Sequence, residues 1–208
     1  MRRLALVLLC AAALLVGGCF LFKSGILYEE TWSDPNTTEW PLVSDALHTT
    51  SIAGGRYHFL LQDRTIWFCW NTSEGPFGDV QIDVDVKHEA GTNNLSAGGL
   101  VFRLGNGSNT YVFEIGPHGL FYIGKVVAGT WTALMTWTAS AAIHQGVAEN
   151  HLTVLADGAS LTFLINGTEV AELTDSSHST GRVGVCVDAF DPDVDAEKSF
   201  DNLVVREL

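Results

Sequence analysis

Basic residues are scarce in this 208-residue chain. There are 11 Lys and Arg against 24 Asp and Glu, which gives a formal net charge of −13. Proteins that bind a phosphate backbone usually carry a basic face, so nucleic acid is excluded as an expected partner. Proline is also rare, with five residues against 21 glycines, and only 17% of the chain is charged. That composition excludes collagen-like and proline-rich disordered chains and favours one folded domain with a substantial core.

Long apolar runs are absent apart from one at the amino terminus. Residues 4–16 are too few to span a bilayer comfortably but suit the core of a signal peptide. Arg2 and Arg3 precede this run, and Val16-Gly17-Gly18-Cys19 closes it. The closing motif resembles a bacterial lipobox, which implies cleavage before Cys19 and acylation of that residue. An ordinary secretory signal and an uncleaved anchor are the alternatives.

The lipobox divides the chain into three predicted parts. We expect a signal peptide at 1–18, a lipidated Cys19 with a short tether at 19–25, and one domain at 26–208. Cleavage would leave 9 basic against 24 acidic residues, a net charge of −15. Anionic lipid repels such a domain, so acyl chains rather than surface charge would hold it at the membrane. The expected location is the extracytoplasmic side of a bacterial cell envelope.

Cysteine is scarce in the predicted domain. Cys10 would leave with the signal peptide and Cys19 would carry lipid, so Cys69 and Cys186 remain. In an exported protein these two residues either form a disulfide or stay as buried free thiols. The absence of a CxxC motif argues against a redox pair or a zinc site.

Strand patterns dominate the domain, and long amphipathic helices are absent. The one weak helix candidate, residues 141–150, is interrupted by Gly146. Residues 79–88 alternate strictly, which predicts a strand with one face on the core and one in water. The apolar positions of that strand are Val80, Ile82, Val84 and Val86, and the polar ones are Gln81, Asp83, Asp85 and Lys87.

Further strands are predicted around hairpin signals. Asp157-Gly158 and Asn166-Gly167 separate apolar alternations and predict tight hairpins. The expected strands around and before them are 99–104, 110–115, 120–126, 151–156, 160–165 and 168–173. With no internal repeat to suggest a propeller, this pattern predicts an all-β fold, a two-sheet antiparallel sandwich or a barrel.

Seven stretches cover nearly all of the domain in a recognisable order. They are SDPNTTEWP (33–41), GDVQIDVDVKHEAG (78–91), GGLVFRLGNGSNTYVFEIGPHGLFYIGK (98–125), GTWTALMTWTASAAI (129–143), ENHLTVLADGASLTFLINGTEVAEL (149–173), SSHSTGRVGVCV (176–187) and SFDNLVVREL (199–208). Together they resemble laminin G-like, concanavalin A-like jelly rolls of bacterial secreted and surface proteins. They are also similar to domains named after 3-keto-disaccharide hydrolases and to their non-catalytic relatives. The resemblance implies a two-sheet antiparallel jelly-roll sandwich whose concave sheet is available for ligand.

Alternation also selects candidate carbohydrate-binding residues. It places Asp83, Asp85, Arg103, Glu114 and Tyr122 on outward faces of the middle strands, where polar groups could meet sugar hydroxyls. Arg103 could instead be a cross-strand ion-pair partner of Glu114.

Tryptophans are the other candidates for sugar contact. Trp131 and Trp137 lie in a segment with weak core patterning, and packing in the core or at its rim is the alternative for both. Trp32 and Trp40 match the entry segment of the resemblance and are expected to be structural.

Catalysis is the less favoured alternative. Family 16 glycoside hydrolases of this superfamily carry Glu-x-Asp-x-x-Glu, and the nearest stretch here begins at Asp83 and Asp85. Lys87 or His88 stands where the last acid belongs, so the usual set of carboxylates is incomplete. A solvated strand face explains the same residues without chemistry.

One acidic run is a candidate calcium site. Asp191, Asp193, Asp195 and Glu197 alternate in a loop and offer hard oxygen ligands, although the spacing is not that of an EF-hand. A solvated acidic loop is the alternative, and no other cofactor is indicated.

These patterns favour a lipid-anchored, extracytoplasmic lectin-like domain that binds carbohydrate or envelope glycan without catalysis. The two alternatives are a glycoside-cleaving enzyme, of the 3-keto-disaccharide hydrolase or family 16 type, and a structural module that binds a protein partner at the cell surface.

Overall fold

The computed structural model describes residues 25–35, 39–62, 65–70, 74–89, 95–191 and 195–208. The predicted signal peptide, Cys19 and nearly all of the tether lie outside these residues. Within them, no helix is long and apolar enough to cross a membrane.

Fourteen strands make up the described fold. They are β1 (Ile26–Glu30), β2 (His48–Ala53), β3 (Arg56–Leu61), β4 (Ile66–Trp70), β5 (Val80–His88), β6 (Ser96–Asn106), β7 (Asn109–Gly116), β8 (Leu120–Val127), β9 (Thr130–Ala139), β10 (Glu149–Asp157), β11 (Ser160–Ile165), β12 (Thr168–Thr174), β13 (Arg182–Ala189) and β14 (Ala196–Glu207). The weak helix candidate at 141–150 forms no helix; most of it is the connection from β9 to β10.

The strands form two antiparallel sheets. One has the order β12-β11-β10-β5-β14-β3-β2, with β1 also paired to β14, and the other has the order β4-β13-β6-β7-β8-β9. We call them the eight-stranded and the six-stranded sheet. The predicted all-β, two-sheet antiparallel architecture is therefore confirmed.

The predicted alternation of β5 is confirmed by burial. Val80, Ile82, Val84 and Val86 are buried in the core between the sheets. The hairpin signal before β12 is confirmed as well, because Asn166 and Gly167 both have positive φ, at 51° and 76°. These are the conformations that a two-residue turn requires and that Asn and Gly adopt most readily.

Aromatic residues fill much of the core. Trp32, Trp40 and Tyr57 pack against one another with ring centroids 5.0 to 5.6 Å apart. Phe113 and Phe163 meet edge to face at 5.1 Å between the two sheets. Trp32 and Trp40 are fully buried, so their predicted structural role is confirmed.

Arg103 does not point outward, which corrects its predicted place on a ligand face. Its φ is +46°, and the pairing of β6 with β7 shifts register between Phe102 and Asn106. This irregularity breaks the alternation, so Leu104 packs on the outer side of the sheet rather than in the core.

The guanidinium of Arg103 is held at one end of the sandwich. Arg103 is 2% exposed and donates to the carbonyl oxygens of Gly158 and His178, at 2.7 and 3.0 Å, and to Asp79 at 3.2 Å. Arg103 therefore ties two turns together, and it is not the partner of Glu114.

Cys69 and Cys186 are free buried thiols, so the disulfide alternative is wrong. They lie on neighbouring strands, but Cys69 pairs with Val185 and Cys186 with Phe68. This one-residue offset sends the two side chains to opposite faces of the six-stranded sheet. Cys69 packs in the main core, and Cys186 packs in the small outer cluster with Val101 and Val112.

Candidate functional site

The predicted carbohydrate-binding residues do not form one site. Asp83 and Asp85 lie on the outer face of the eight-stranded sheet, whereas Glu114 and Tyr122 lie on the outer face of the six-stranded sheet. Strand alternation separates core from exterior, but it does not say to which sheet a strand belongs. The grouping was therefore wrong, although four of the five side chains do point outward.

Glu114 lies in a cross-strand row on the outer face of the six-stranded sheet. The register places Cys186 opposite Gly99, Gly99 opposite Glu114, and Glu114 opposite Tyr122. Because Gly99 has no side chain, Glu114 reaches across it, and its Oε2 lies 4.0 Å from the Sγ of Cys186. Glu114 is only 1% exposed.

Tyr122 and the two tryptophans of β9 form an aromatic platform beside Glu114. Trp131 Nε1 donates to the Tyr122 hydroxyl at 2.6 Å, and their rings lie 6.2 Å apart at an angle of 22°. The ring of Trp137 also packs against Tyr122, with centroids 5.3 Å apart at an angle of 36°. The ring of Tyr122 covers Gly124, where a Cβ would come within 2.6 Å of it.

The platform continues beyond the three rings. Phe190 meets Trp137 edge to face at 5.5 Å. Trp131 is 38% exposed and Trp137 37%, in contrast to the buried Trp32 and Trp40. We call the surface formed by Glu114, Tyr122, Trp131, Trp137 and Asp188 the aromatic face.

A run of cavities follows this surface. The five residues of the aromatic face line a central cavity of about 220 Å³. Trp131 also borders a cavity of about 560 Å³ towards Phe68, and Trp137 borders one of about 170 Å³ towards Leu120 and Phe190. Each tryptophan is thus shared between neighbouring cavities, so the three cavities lie in sequence along one surface, which we call the trough.

Burial dominates the electrostatics of the trough. Loss of water, together with the nearby Asp188, raises the pKa of Glu114 well above its usual value, and Lys198 acts in the opposite direction. Burial also raises the pKa of Tyr122, which Glu114 and Asp188 raise further. The site therefore favours the protonated, neutral form of Glu114.

Lys198 lies behind the sheet rather than in the trough. Its Nζ lies 2.7 Å from His88 Nδ1 and 2.8 Å from Ser96 Oγ, and burial lowers its pKa to about 7. The side chain passes the core side of Gly98, where a Cβ would lie 2.6 Å from its Cγ.

The carboxylates on the outer face of the eight-stranded sheet are hydrogen-bonded to protein partners. Asp83 accepts hydrogen bonds from Gln81, Thr153 and Arg206 and lies near His151. Burial alone would raise its pKa, but hydrogen bonds from His151, Thr153 and Gln81 hold it below the usual value.

Asp85 belongs to the same network. It contacts His151 Nδ1 at 2.7 Å and accepts from Asn202 at 2.8 Å. Hydrogen bonds to Asp83 and Asp85 raise the pKa of His151 to about 9. Asp83 and Asp85 therefore belong to a hydrogen-bond network with protein partners. The position that the hydrolase motif reserves for its last acid holds Lys87 or His88.

The candidate calcium ligands are only partly placed. Asp193 lies outside the described residues, and Glu197 contacts His58 Nδ1 at 2.9 Å. Asp195 is exposed and lies 3.5 Å from Gln62 Nε2. No group of three or more His, Cys, Asp or Glu side chains suited to a metal occurs among the described residues. Calcium binding stays a prediction from the sequence.

Sequence reasoning missed part of the aromatic face. From the sequence, Trp131 and Trp137 are candidates for sugar contact without a defined site, and no local pattern marks Asp188 or Phe190. The available signal was the weak core patterning of residues 130–139 despite two tryptophans, which fits a strand at the sheet edge that exposes large rings.

Solved structures with the same architecture include several carbohydrate-active proteins. A family 66 carbohydrate-binding module from Bacillus subtilis aligns with a TM-score of 0.64 at 21% identity, covering 83% of this chain and 98% of that one. A Bacillus licheniformis β-glucanase aligns at 0.65 and 10% identity, covering 89% and 100%. A galectin-like protein of unknown function from Bacillus subtilis aligns at 0.65 and 15% identity, covering 89% and 97%.

At these identities the likeness shows the fold alone. No protein-family model matches the sequence, and no curated protein does. The chain has a concanavalin A-like jelly-roll sandwich fold, as the sequence resemblance implied.

Proposed function

We propose that the domain binds an oligosaccharide along the aromatic face and does not catalyse its cleavage. The sugar rings pack on Trp131, Tyr122 and Trp137, while Glu114 and Asp188 form hydrogen bonds with polar groups of the sugar.

The observation that carries this proposal is the pair of partly exposed rings, Trp131 and Trp137, which contact the mostly buried Tyr122 beside two carboxyl groups. Large exposed rings are costly in water, and contiguous exposed apolar surface marks binding sites. Sugars present apolar C–H faces and polar rims, so a flat ring beside a hydrogen-bonding group matches both parts. The carbohydrate-binding module and the β-glucanase of the same fold support the same class of ligand.

The trough favours a chain of several sugars over a single one. Three cavities lie in sequence, separated by Trp131 and Trp137. A monosaccharide would fill only one of them, so we expect affinity to rise with oligosaccharide length.

A glycan array with residues 26–208, followed by calorimetric titration of its strongest ligand, tests the proposal. Trp131→Ala and Trp137→Ala should each weaken binding at least about tenfold, because a central aromatic contact is lost. Leu42→Ala is the control, since Leu42 is an exposed apolar residue away from the aromatic face. Full affinity in both tryptophan variants would place the ligand elsewhere.

Anchoring at the cell envelope is the second part of the proposal. It rests on the lipobox at residues 16–19, which ends in Cys19. Cys19→Ala should stop processing or release the protein from membranes, measured by fractionation of the full chain. Normal cleavage with unchanged membrane retention would contradict the lipid anchor.

Glycoside cleavage is the second candidate function, and one observation favours it. Glu114 and Asp188 line one cavity, and a carboxyl group with a raised pKa beside a second acid is the arrangement of a general acid with its partner. Release of reducing ends from an array-positive oligosaccharide, abolished by Glu114→Gln, would establish this function in place of binding alone.

A further inference from the structure

The central cavity of the aromatic face is acidic. Two of its five lining residues are carboxylic acids and three are aromatic, and none of the described side chains that line it is basic. We propose that this cavity binds a sugar residue with a free, protonated amino group, which Glu114 and Asp188 face while the aromatic rings contact the sugar. The inference rests on the proposed function, because it names the class of glycan for the same surface.

Among the described residues, no strong hydrogen-bond donor contacts the carboxyl group of Glu114. Its one hydrogen-bond contact among the described residues is with the Cys186 thiol, at 4.0 Å, although the side chain is almost completely buried. A thiol is a weak donor, and a buried carboxyl group without adequate partners is costly. An ammonium group has three N–H donors and would supply the missing contact.

Two basic side chains, Lys198 and Arg103, do not donate a hydrogen bond to Glu114. Lys198 is close enough to influence Glu114, but its Nζ is already held by His88 and Ser96 on the core side of the sheet. Arg103 is held by turn carbonyls at the end of the sandwich. Neither of these two cations therefore supplies Glu114 with a hydrogen bond.

The surroundings of Glu114 favour a cation over other ligands. The groups that influence it are Asp188 and Cys186 on β13, Tyr122 on β8 and Lys198 on β14. Burial and Asp188 both disfavour the ionised form of Glu114, and a positive charge bound beside the carboxyl group would stabilise that form. Ring faces of Tyr122 and the tryptophans attract a cation as well.

Long-range electrostatics act in the same direction. The chain carries a formal net charge of −13, so its field concentrates cationic ligands and repels anionic ones. A uronic acid or sulfated sugar would bring a further negative charge to Glu114 and Asp188. We therefore expect such anionic glycans to be excluded.

Matched tetrasaccharides test the inference. The β-1,4-linked tetramers of glucosamine, N-acetylglucosamine and glucose differ only at carbon 2, and the corresponding galacto-configured tetramers form a second set. At pH 6 the amine member of at least one set should bind about tenfold or more tighter than its N-acetyl and hydroxyl counterparts, measured by calorimetry. High salt should reduce that preference.

Two isosteric variants show whether the carboxyl groups cause the preference. Glu114→Gln and Asp188→Asn should bring the amine member to within a few-fold of its neutral counterparts, whereas Trp137→Ala should weaken all members alike. Glu172→Gln is the control, because Glu172 is an exposed acid on β12 of the other sheet. Melting curves of each variant verify folding.

The outcomes separate this inference from the proposed function. Equal or tighter binding of the neutral members overturns the amine preference and leaves carbohydrate binding intact. The same holds if neither set binds while other array glycans do. An array without any ligand overturns both. An amine preference unchanged in both carboxyl variants assigns the charge recognition to another part of the surface and overturns the role of Glu114 and Asp188.

Discussion

The two outer faces of the sandwich both carry acidic residues, but they use them differently. On the eight-stranded sheet, Asp83 and Asp85 accept hydrogen bonds from neighbouring side chains, which hold their pKa values low. On the six-stranded sheet, Glu114 is more deeply buried than Asp85 and has a raised pKa, and its one hydrogen-bond contact among the described residues is with a thiol. One face has its charges satisfied by the protein, and the other leaves a carboxyl group for something else to satisfy.

This difference shows which acid on a β-sandwich indicates a ligand. A carboxylate with several protein donors stabilises the fold and has little capacity left for a sugar. A buried carboxyl group next to exposed rings is costly for folding and is retained where binding recovers the cost. Position on an outer face alone does not distinguish the two cases.

The largest expected effect belongs to a residue that lies on neither face. Arg103→Ala should lower the free energy of unfolding by about 3–4 kcal/mol, because two turn carbonyls and Asp79 lose a buried donor. Urea unfolding measures this loss. Glycan affinity of the folded variant should be unchanged, and a selective loss of affinity would return Arg103 to the ligand site.

Removing one acid from each face compares them directly. Asp83→Ala should cost about 2–3 kcal/mol of unfolding free energy, since the buried Thr153 hydroxyl loses its acceptor and Arg206 its partner. Glu114→Gln should change the stability by less than about 1 kcal/mol, because burial favours the neutral carboxyl form that glutamine resembles in shape and charge. Equal losses in the two variants would remove the distinction between the faces.

Alkaline pH should weaken the network of His151, Asp83 and Asp85 on the eight-stranded sheet. The pKa of His151 is raised from its usual value near 6.5 to about 9 by hydrogen bonds to Asp83 and Asp85. A raised pKa means that the folded state binds the proton more tightly than the unfolded state does. The resulting contribution to the free energy of unfolding is complete below pH 6.5 and is lost as the pH rises through about 9.

His151→Gln provides the control for that pH dependence. The melting temperature of the wild type should fall more steeply than that of the variant between pH 7 and pH 10. His151 is about half exposed, so solvent screening keeps the difference small. An equal fall in melting temperature in the wild type and the variant would show that the histidine does not stabilise this face through its charge.

Much of the fold could be predicted from local sequence, and the reasons are physical. The alternation around Val84 and the Asn166-Gly167 turn depend on neighbouring residues, and both are confirmed. The place of Arg103 depends on an irregularity in β6, which alternation does not reveal. The pairing of β4 with β13 likewise sets the faces of Cys69 and Cys186, so sequence alone left their disulfide open.

The site was less predictable, because it depends on which strands share a sheet. Glu114 and Tyr122 were assigned correctly to an outer face, but Asp85 was placed with them although it lies on the other sheet. Trp131 and Trp137 meet Tyr122 only through the pairing of β8 with β9, whose register shifts are not visible in the sequence. Non-local pairing thus decides the membership of the site.

The smallest expected effect concerns one hydroxyl group on the aromatic face. Tyr122→Phe keeps the ring over Gly124 but removes the acceptor of the Trp131 indole N–H, which lies 2.6 Å away. Trp131 should then lose its fixed orientation, and affinity for the array-selected oligosaccharide should fall about three- to fivefold, as for one neutral hydrogen bond. Stability should change little, because the indole N–H of the partly exposed Trp131 can then bind water. Calorimetry beside melting curves separates the two effects. A loss as large as that of Trp131→Ala would mean that the hydroxyl itself contacts the ligand, and an unchanged affinity would show that the platform does not need the Tyr122–Trp131 bond.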